Sequence, residues 1–182
     1  MKRMFFALDI SNSDKQYLAK WRQQILLNAK PVSQENFHIT LSFLGMLSDL
    51  QIEQLITFVD AQNLLSKQAP FEICATQLGL FKKPQVLYLA FQNFPKPLSR
   101  LAYNLSHQAS IMGITQHHPS FLPHITLFRK AKEIPQQQTK SEGVSIMLTI
   151  SQFSLYHSYS TNEGVRYKPI RTWSFTTNKS LK

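Results

Sequence analysis

The chain has 182 residues and is 43% hydrophobic and 12% aromatic, enough apolar content to bury one sizeable core, so a wholly disordered chain is excluded. Twenty Lys and Arg against 10 Asp and Glu give a net charge of +10, a balance that suits polyanionic partners such as nucleic acid, phosphorylated metabolites or an anionic surface. Ten carboxylates leave little for two-metal catalysis or a calcium site, and the lone Cys74 excludes a disulfide framework or a CxxC motif.

The opening MKRMFFALDIS is basic and then apolar, but its apolar run stops at Asp9, too short for a secretory leader, and no segment reaches the length of a membrane span. A cytoplasmic protein without a membrane partner is expected. Residues 4–10 predict a strand, followed by a helix over 11–28 with Ser11 and Asp14 at capping spacing and Leu18, Trp21 and Ile25 on one face. Alternation over 37–44 predicts a strand. Ser48 and Gln51 then form a capping box before Ile52, Leu55, Ile56 and Val59 at helical spacing. Strands over 71–80 and 86–91 flank a Lys-Lys-Pro turn. The stripe Leu98, Leu101, Ala102, Leu105, Ala109 and Met112 predicts a helix that stops at Gly113.

Residues 132–142 are polar and predict a surface loop. Strands over 124–128, 144–158 and 165–175 close the chain, with Asn162-Glu163-Gly164 as a hairpin turn. Interspersed helices and strands, with short turns between neighbouring strands, predict an α+β fold with mainly antiparallel sheets. With 5 Gly, no glycine-rich phosphate loop is present.

One internal repeat stands out. His38-Ile39-Thr40-Leu41 recurs letter for letter as His124-Ile125-Thr126-Leu127, in the opposite half of the chain. From this composition random placement would give about 0.4 His-x-Thr triplets, so two with identical flanks are a strong signal. Residues i and i+2 of a strand share a face. Each repeat therefore presents an imidazole and a hydroxyl on one face and two aliphatic residues to a core. Two such strands related by a pseudo-two-fold axis would bring two His and two Thr to a shared cleft. One imidazole as general base and one as general acid suit the two ends of an in-line displacement at phosphorus. The two hydroxyls suit the non-bridging oxygens, with no call for a metal.

Paired HxTx motifs in a chain of this size resemble the 2H phosphoesterase superfamily, and within it the RNA 2′,3′-cyclic phosphodiesterase family, also called 2′-5′ RNA ligase. Residues 3–9 (RMFFALD) are similar to that family's opening strand, 35–45 (ENFHITLSFLG) to its first signature, and 80–89 (LFKKPQVLYL) to its middle hairpin. Residues 123–129 (PHITLFR) resemble the second signature, with Phe121-Leu122-Pro123-His124 as its entry, and Gly164-Val165-Arg166-Tyr167 resembles the closing segment.

The resemblance implies one 2H phosphoesterase domain over 1–182, made of two intertwined lobes with one motif in each, and two antiparallel sheets facing a central cleft with helices outside. It also implies hydrolysis of an RNA 2′,3′-cyclic phosphate end to a 2′-phosphomonoester, with no cofactor and no metal. His38 would be the proton donor and His124 the proton acceptor, with Thr40 and Thr126 on the phosphate. The reverse reaction would form a 2′-5′ linkage. The expected partners are RNA ends or nucleotides bearing a 2′,3′-cyclic phosphate, and the expected state is a monomer.

Arg129 and Phe43, each five residues past its His, are candidates for phosphate contact and base stacking. Strict alternation points both away from the catalytic face, so each reaches it only where its strand ends or bulges. Lys82, Lys83, Arg166 and Lys168 could line a path for RNA. The competing readings are a 2H enzyme acting on small cyclic nucleotides, a basic RNA-binding module without catalysis, and a zinc site, for which adjacent His117 and His118 would face opposite sides of a strand.

Overall fold

The computed structural model describes residues 1–61, 69–91, 94–114, 121–135 and 145–176. In chain order these form β1 (Lys2–Asp9), α1 (Asn12–Arg22), β2 (Lys30–Pro31), a 3-10 turn (Gln34–Asn36), β3 (His38–Leu47), α2 (Asp49–Ala61), β4 (Phe71–Phe81) and β5 (Val86–Phe91). There follow α3 (Lys96–Ile111), β6 (His124–Arg129), β7 (Ile146–Ile150), β8 (Gln152–Thr161) and β9 (Gly164–Ser174). The strands sort into a four-stranded sheet of order β3-β1-β8-β9 and a five-stranded sheet of order β2-β6-β5-β4-β7, with every pairing antiparallel. The fold is α+β, as expected, and each HITL tetrapeptide opens a strand of a different sheet.

Local chemistry sets the helix starts. Ser48 Oγ accepts from the Gln51 amide at 3.2 Å while Gln51 Oε1 accepts from the Ser48 amide at 2.9 Å, a complete capping box ahead of α2. Ser11 Oγ accepts from the Asp14 amide at 3.1 Å and caps α1. The apolar stripe of α3 is buried at Leu98, Leu101, Ala102, Leu105 and Ala109, and the helix stops at Gly113, whose φ of +72° few side chains would accept.

Two boundaries differ from the sequence expectation. Helix α1 ends at Arg22 rather than near residue 28, because the chain tightens there: the Gln24 amide bonds the Trp21 carbonyl at 3.1 Å and the Ile25 amide the Arg22 carbonyl at 2.9 Å. The Arg22 guanidinium then donates to the Val32 carbonyl and lies over the rings of Phe37 and Phe128 at 5.2 and 5.7 Å, folding the chain back into β2. The single strand expected over 144–158 is two strands in two sheets, broken at Ser151, whose carbonyl accepts from the Phe175 amide at 2.8 Å just past β9. Val144 and part of the 132–142 loop lie outside the described residues.

Both sheets share one core. Phe6, Leu8, Ile39, Leu41, Phe153 and Leu155 come from the first, Leu87, Leu89, Ile125 and Leu127 from the second, all essentially inaccessible. Each such side chain contributes about 1.5–3 kcal/mol by leaving water, so the aliphatic halves of both tetrapeptides anchor the strands that carry the imidazoles. Strand β3 is the edge of its sheet, and β2 pairs only with Phe128 and Arg129 of β6. Strands β3 and β6, which carry the two motifs, approach one another from the two sheets.

Candidate active site

On β3, Ile39 and Leu41 turn into the core while His38 and Thr40 stay half-buried on the opposite face. On β6, Ile125 and Leu127 do the same for His124 and Thr126. The next step breaks strict alternation in both strands. Against β1, Ala7 pairs with Thr40 but Phe6 pairs with Ser42, so Leu41 is an extra residue. Past this bulge Ser42 turns inward, bonding Ser106 Oγ of α3 at 3.1 Å, and Phe43 emerges on the His38 face, 45% exposed and 6.3 Å from the Phe5 ring. Against β5, Tyr88 pairs with Thr126 but Leu87 pairs with Phe128, so Leu127 is the extra residue; Phe128 is buried and Arg129 exposed. Equivalent bulges thus bring both +5 residues toward the cleft.

Each imidazole is held at Nδ1 by a carbonyl two residues back. His38 Nδ1 lies 2.7 Å from the Asn36 oxygen and His124 Nδ1 lies 2.8 Å from the Leu122 oxygen. A carbonyl only accepts, so Nδ1 carries the proton in both rings and the neutral form presents a lone pair at Nε2. The Thr40 hydroxyl lies 3.0 Å from His38 Nε2 and donates to it in that tautomer.

Burial lowers both imidazole pKa values below the ordinary 6.5. The His38 value falls to about 4: burial is the largest cause, opposed by the Asn36 carbonyl and reinforced by the positive charges of His124, Lys15 and Arg129. The charges of the second-motif His, the Arg past it and a helix α1 lysine thus all reach the first-motif His. The Lys15 ammonium, itself lowered by burial against the pull of Asp9 and Glu35, donates to the Glu35 carbonyl at 3.1 Å.

Several residues that shape the site were not singled out as site residues from the sequence. Phe5 and Tyr167 flank His38 with ring centroids at 5.0 and 5.1 Å; Phe81 and Tyr88 flank His124 at 5.1 and 5.2 Å. Phe5 also stacks on Tyr156 at 5.3 Å, and the Tyr156 hydroxyl donates to Asp9 at 2.7 Å; Asp9 accepts as well from Gln152 at 2.8 Å and Ser154 at 2.7 Å. Burial and the Asp9 carboxylate push the Tyr156 phenol above its ordinary pKa, so it stays a donor. The Asn36 amide donates to the Val165 carbonyl at 2.8 Å, tying the β8–β9 hairpin to the turn that holds His38. The four candidate RNA-path residues divide, since Arg166 is paired with Glu163 at 2.7 Å while Lys82 and Lys83 are exposed in the β4–β5 turn.

A family model described as LigT like Phosphoesterase matches residues 8–88. The "RNA 2',3'-cyclic phosphodiesterase" of Escherichia coli K12 is 29% identical over 180 residues, covering 96% of this chain and 97% of that protein. The protein of the same name from Methanocaldococcus jannaschii is 25% identical over 181 residues, covering 94% and 99%. The crystal structure of E. coli LigT complexed with 3'-AMP matches with a TM-score of 0.82 at 28% identity, over 97% of this chain and 99% of that one. Over nearly its whole length the chain is similar to LigT-like phosphoesterases. In this LigT-like chain the family model spans the first motif, and the second falls within the near-full-length matches. Among the described residues no three His, Cys, Asp or Glu side chains converge, and no helix is long and apolar enough to cross a membrane. His117 and His118 lie outside the described residues.

Proposed function

We propose that this LigT-like chain is a phosphodiester hydrolase that opens RNA 2′,3′-cyclic phosphate ends to 2′-phosphomonoesters, with His38 as proton donor and His124 as proton acceptor. The observation that carries this reading is the pair of Nδ1-anchored imidazoles on facing strands, each with Nε2 unprotonated in the neutral ring. The near-full-length likeness to proteins named for this activity supports it.

Water attacks phosphorus while His124 Nε2 takes its proton. The bond from phosphorus to O3′ breaks, and O3′ takes a proton from His38 Nε2. Thr40, Thr126 and Arg129 bond the non-bridging oxygens as charge builds there, and Phe43 stacks on a base. A ring whose pKa has fallen to about 4 is not charged in the empty cleft at neutral pH. The phosphate anion supplies the charge that favours the imidazolium, so His38 takes up its proton with the substrate. No step calls for a metal or other cofactor. With a 5′-hydroxyl in place of water, the same proton transfers join its oxygen to phosphorus as the bond to O3′ breaks, giving a 2′-5′ linkage. The whole chain acts as one unit, with one motif in each lobe.

The test is turnover of a cyclic-phosphate-ended oligonucleotide and of a 2′,3′-cyclic mononucleotide in EDTA. Wild type turns over, and His38→Ala and His124→Ala do not. Equal rates in wild type and either variant would overturn the acid-base assignment. Loss of wild-type turnover in EDTA would overturn metal independence. RNA binding without turnover would make the protein a binding module. A marked preference for the mononucleotide would make small cyclic nucleotides the substrate.

A further inference from the structure

We propose that Gly79 and Tyr88 are positioning residues for the His124 imidazole, with Gly79 present to let the Tyr88 ring lie flat on the β4 backbone. Gly79 of β4 pairs directly with Tyr88 of β5, which in turn pairs with Thr126 of β6, so one row across three strands leads from the glycine to the second motif. The backbone at Gly79 lies outside the left-handed region that would itself call for glycine. What it lacks is room. A Cβ there would lie 2.3 Å from Tyr88 Cζ and 2.5 Å from both Cε2 and the hydroxyl oxygen, well inside van der Waals contact.

The tyrosine ring therefore covers the glycine along its outer edge, as aromatic rings do over strand glycines. In that position it stacks on Phe81 at 4.2 Å and 24°, and the two rings together flank His124 at 5.2 and 5.1 Å. The Leu122 carbonyl holds the imidazole at Nδ1 but leaves rotation about the bond direction open. The Tyr88–Phe81 platform closes that freedom.

The placement stands on geometry alone; its catalytic consequence rests on the hydrolytic reading above. Two readouts keep these apart. The first is the NMR titration of the His124 ring in selectively labelled protein, which needs no turnover. Gly79→Ala and Tyr88→Ala each shift the His124 resonances and raise its pKa toward 6.5, leaving those of His38 in place. Tyr88→Phe does neither, because the ring and not the hydroxyl does the positioning. Adding Gly79→Ala to Tyr88→Ala changes nothing further, since the ring that the glycine accommodates is gone.

The second readout is kinetic. Gly79→Ala and Tyr88→Ala lower kcat roughly 10- to 100-fold with KM nearly unchanged, and Tyr88→Phe keeps wild-type kcat. Unmoved His124 resonances in folded Gly79→Ala, or independent effects of the two substitutions, would overturn the proposal. So would a His124 shift in Tyr88→Phe as large as that in Tyr88→Ala. Shifted resonances in a protein with no cyclic-phosphate turnover would keep the placement and sink the hydrolytic reading instead.

Discussion

His38 and His124 sit on identical tetrapeptides, each anchored at Nδ1 by a carbonyl and flanked by one Phe and one Tyr, yet the residue that the following bulge turns toward the cleft is Phe43 in one strand and Arg129 in the other. The local sequence fixes what the two halves have in common. The neighbouring strands and the fifth residue make them unequal: the β3 side of the cleft ends in an exposed ring, the β6 side in a guanidinium whose charge reaches His38. His38 also has its hydroxyl partner already engaged, Thr40 at 3.0 Å. A symmetric scaffold thereby acquires a cationic end and an aromatic end, which on the proposed function would meet the phosphate and the base of a substrate.

The largest effect that tests this comparison comes from the imidazoles. If they serve opposite ends of one displacement, removing either costs about 10²- to 10⁴-fold in kcat, and the His38→Ala, His124→Ala double variant is hardly worse than the poorer single one. Single-turnover rates on a cyclic-phosphate end measure this. Multiplicative losses would mean that the two strands do not act as a unit.

Next come the two residues past the bulges. Arg129→Met is expected to lower kcat/KM by about 10- to 100-fold on every cyclic phosphate, as loss of a charge-assisted bond to phosphate would. It also removes one of the charges that hold the His38 pKa down, so the His38 titration moves up. Phe43→Ala is expected to cost about tenfold or less, to act mainly on KM, and to vary with the terminal base. A base-dependent loss in Arg129→Met, or a base-independent one in Phe43→Ala, would dissolve the assigned polarity of the cleft.

Much of this was legible in the sequence and some of it was not, for physical reasons. The repeat, the shared face of His38 with Thr40 and of His124 with Thr126, and the aliphatic anchors follow from a period of two, which the strands keep through Leu41 and Leu127. The bulges themselves are not visible in HITL, because they are set by how β1 and β5 pair with those strands. For that reason alternation alone turned Phe43 and Arg129 the wrong way. The break at Ser151 was hidden for a similar reason: apolar residues continue on both sides of it, and only the carbonyl bond to Phe175 and the change of sheet reveal it. Tyr88 and Tyr167 come to their imidazoles through strand pairing and hairpin curvature, although both lie in segments whose wording resembled the family.

A pH profile gives a smaller effect. Both imidazoles have pKa values below 6.5, and on the proposed mechanism the competent enzyme holds one proton between them, so the pair titrates together. Activity on free enzyme and substrate falls as pH rises through the upper value, and falls again as pH drops through the lower one. The maximum of kcat/KM is therefore expected on the acid side of pH 6.5. An optimum above pH 7 would mean that the cleft does not desolvate the two rings.

The smallest effect is on stability, and its sign follows from the same burial. The unfolded chain protonates His38 near pH 6.5, whereas the folded chain resists protonation until about pH 4. Between those values the unfolded state holds more protons, so stability rises with pH. The contribution is complete above pH 6.5 and is lost progressively as pH falls toward 4. Thermal unfolding across that window is expected to show Tm dropping with acid in wild type, and less steeply in His38→Gln, which cannot take up the proton. His124→Gln is expected to flatten the slope less, because fewer charges act on that ring. Equal slopes in His38→Gln and His124→Gln would mean that the two motifs share one electrostatic environment, and the asymmetry would then rest on Phe43 and Arg129 alone.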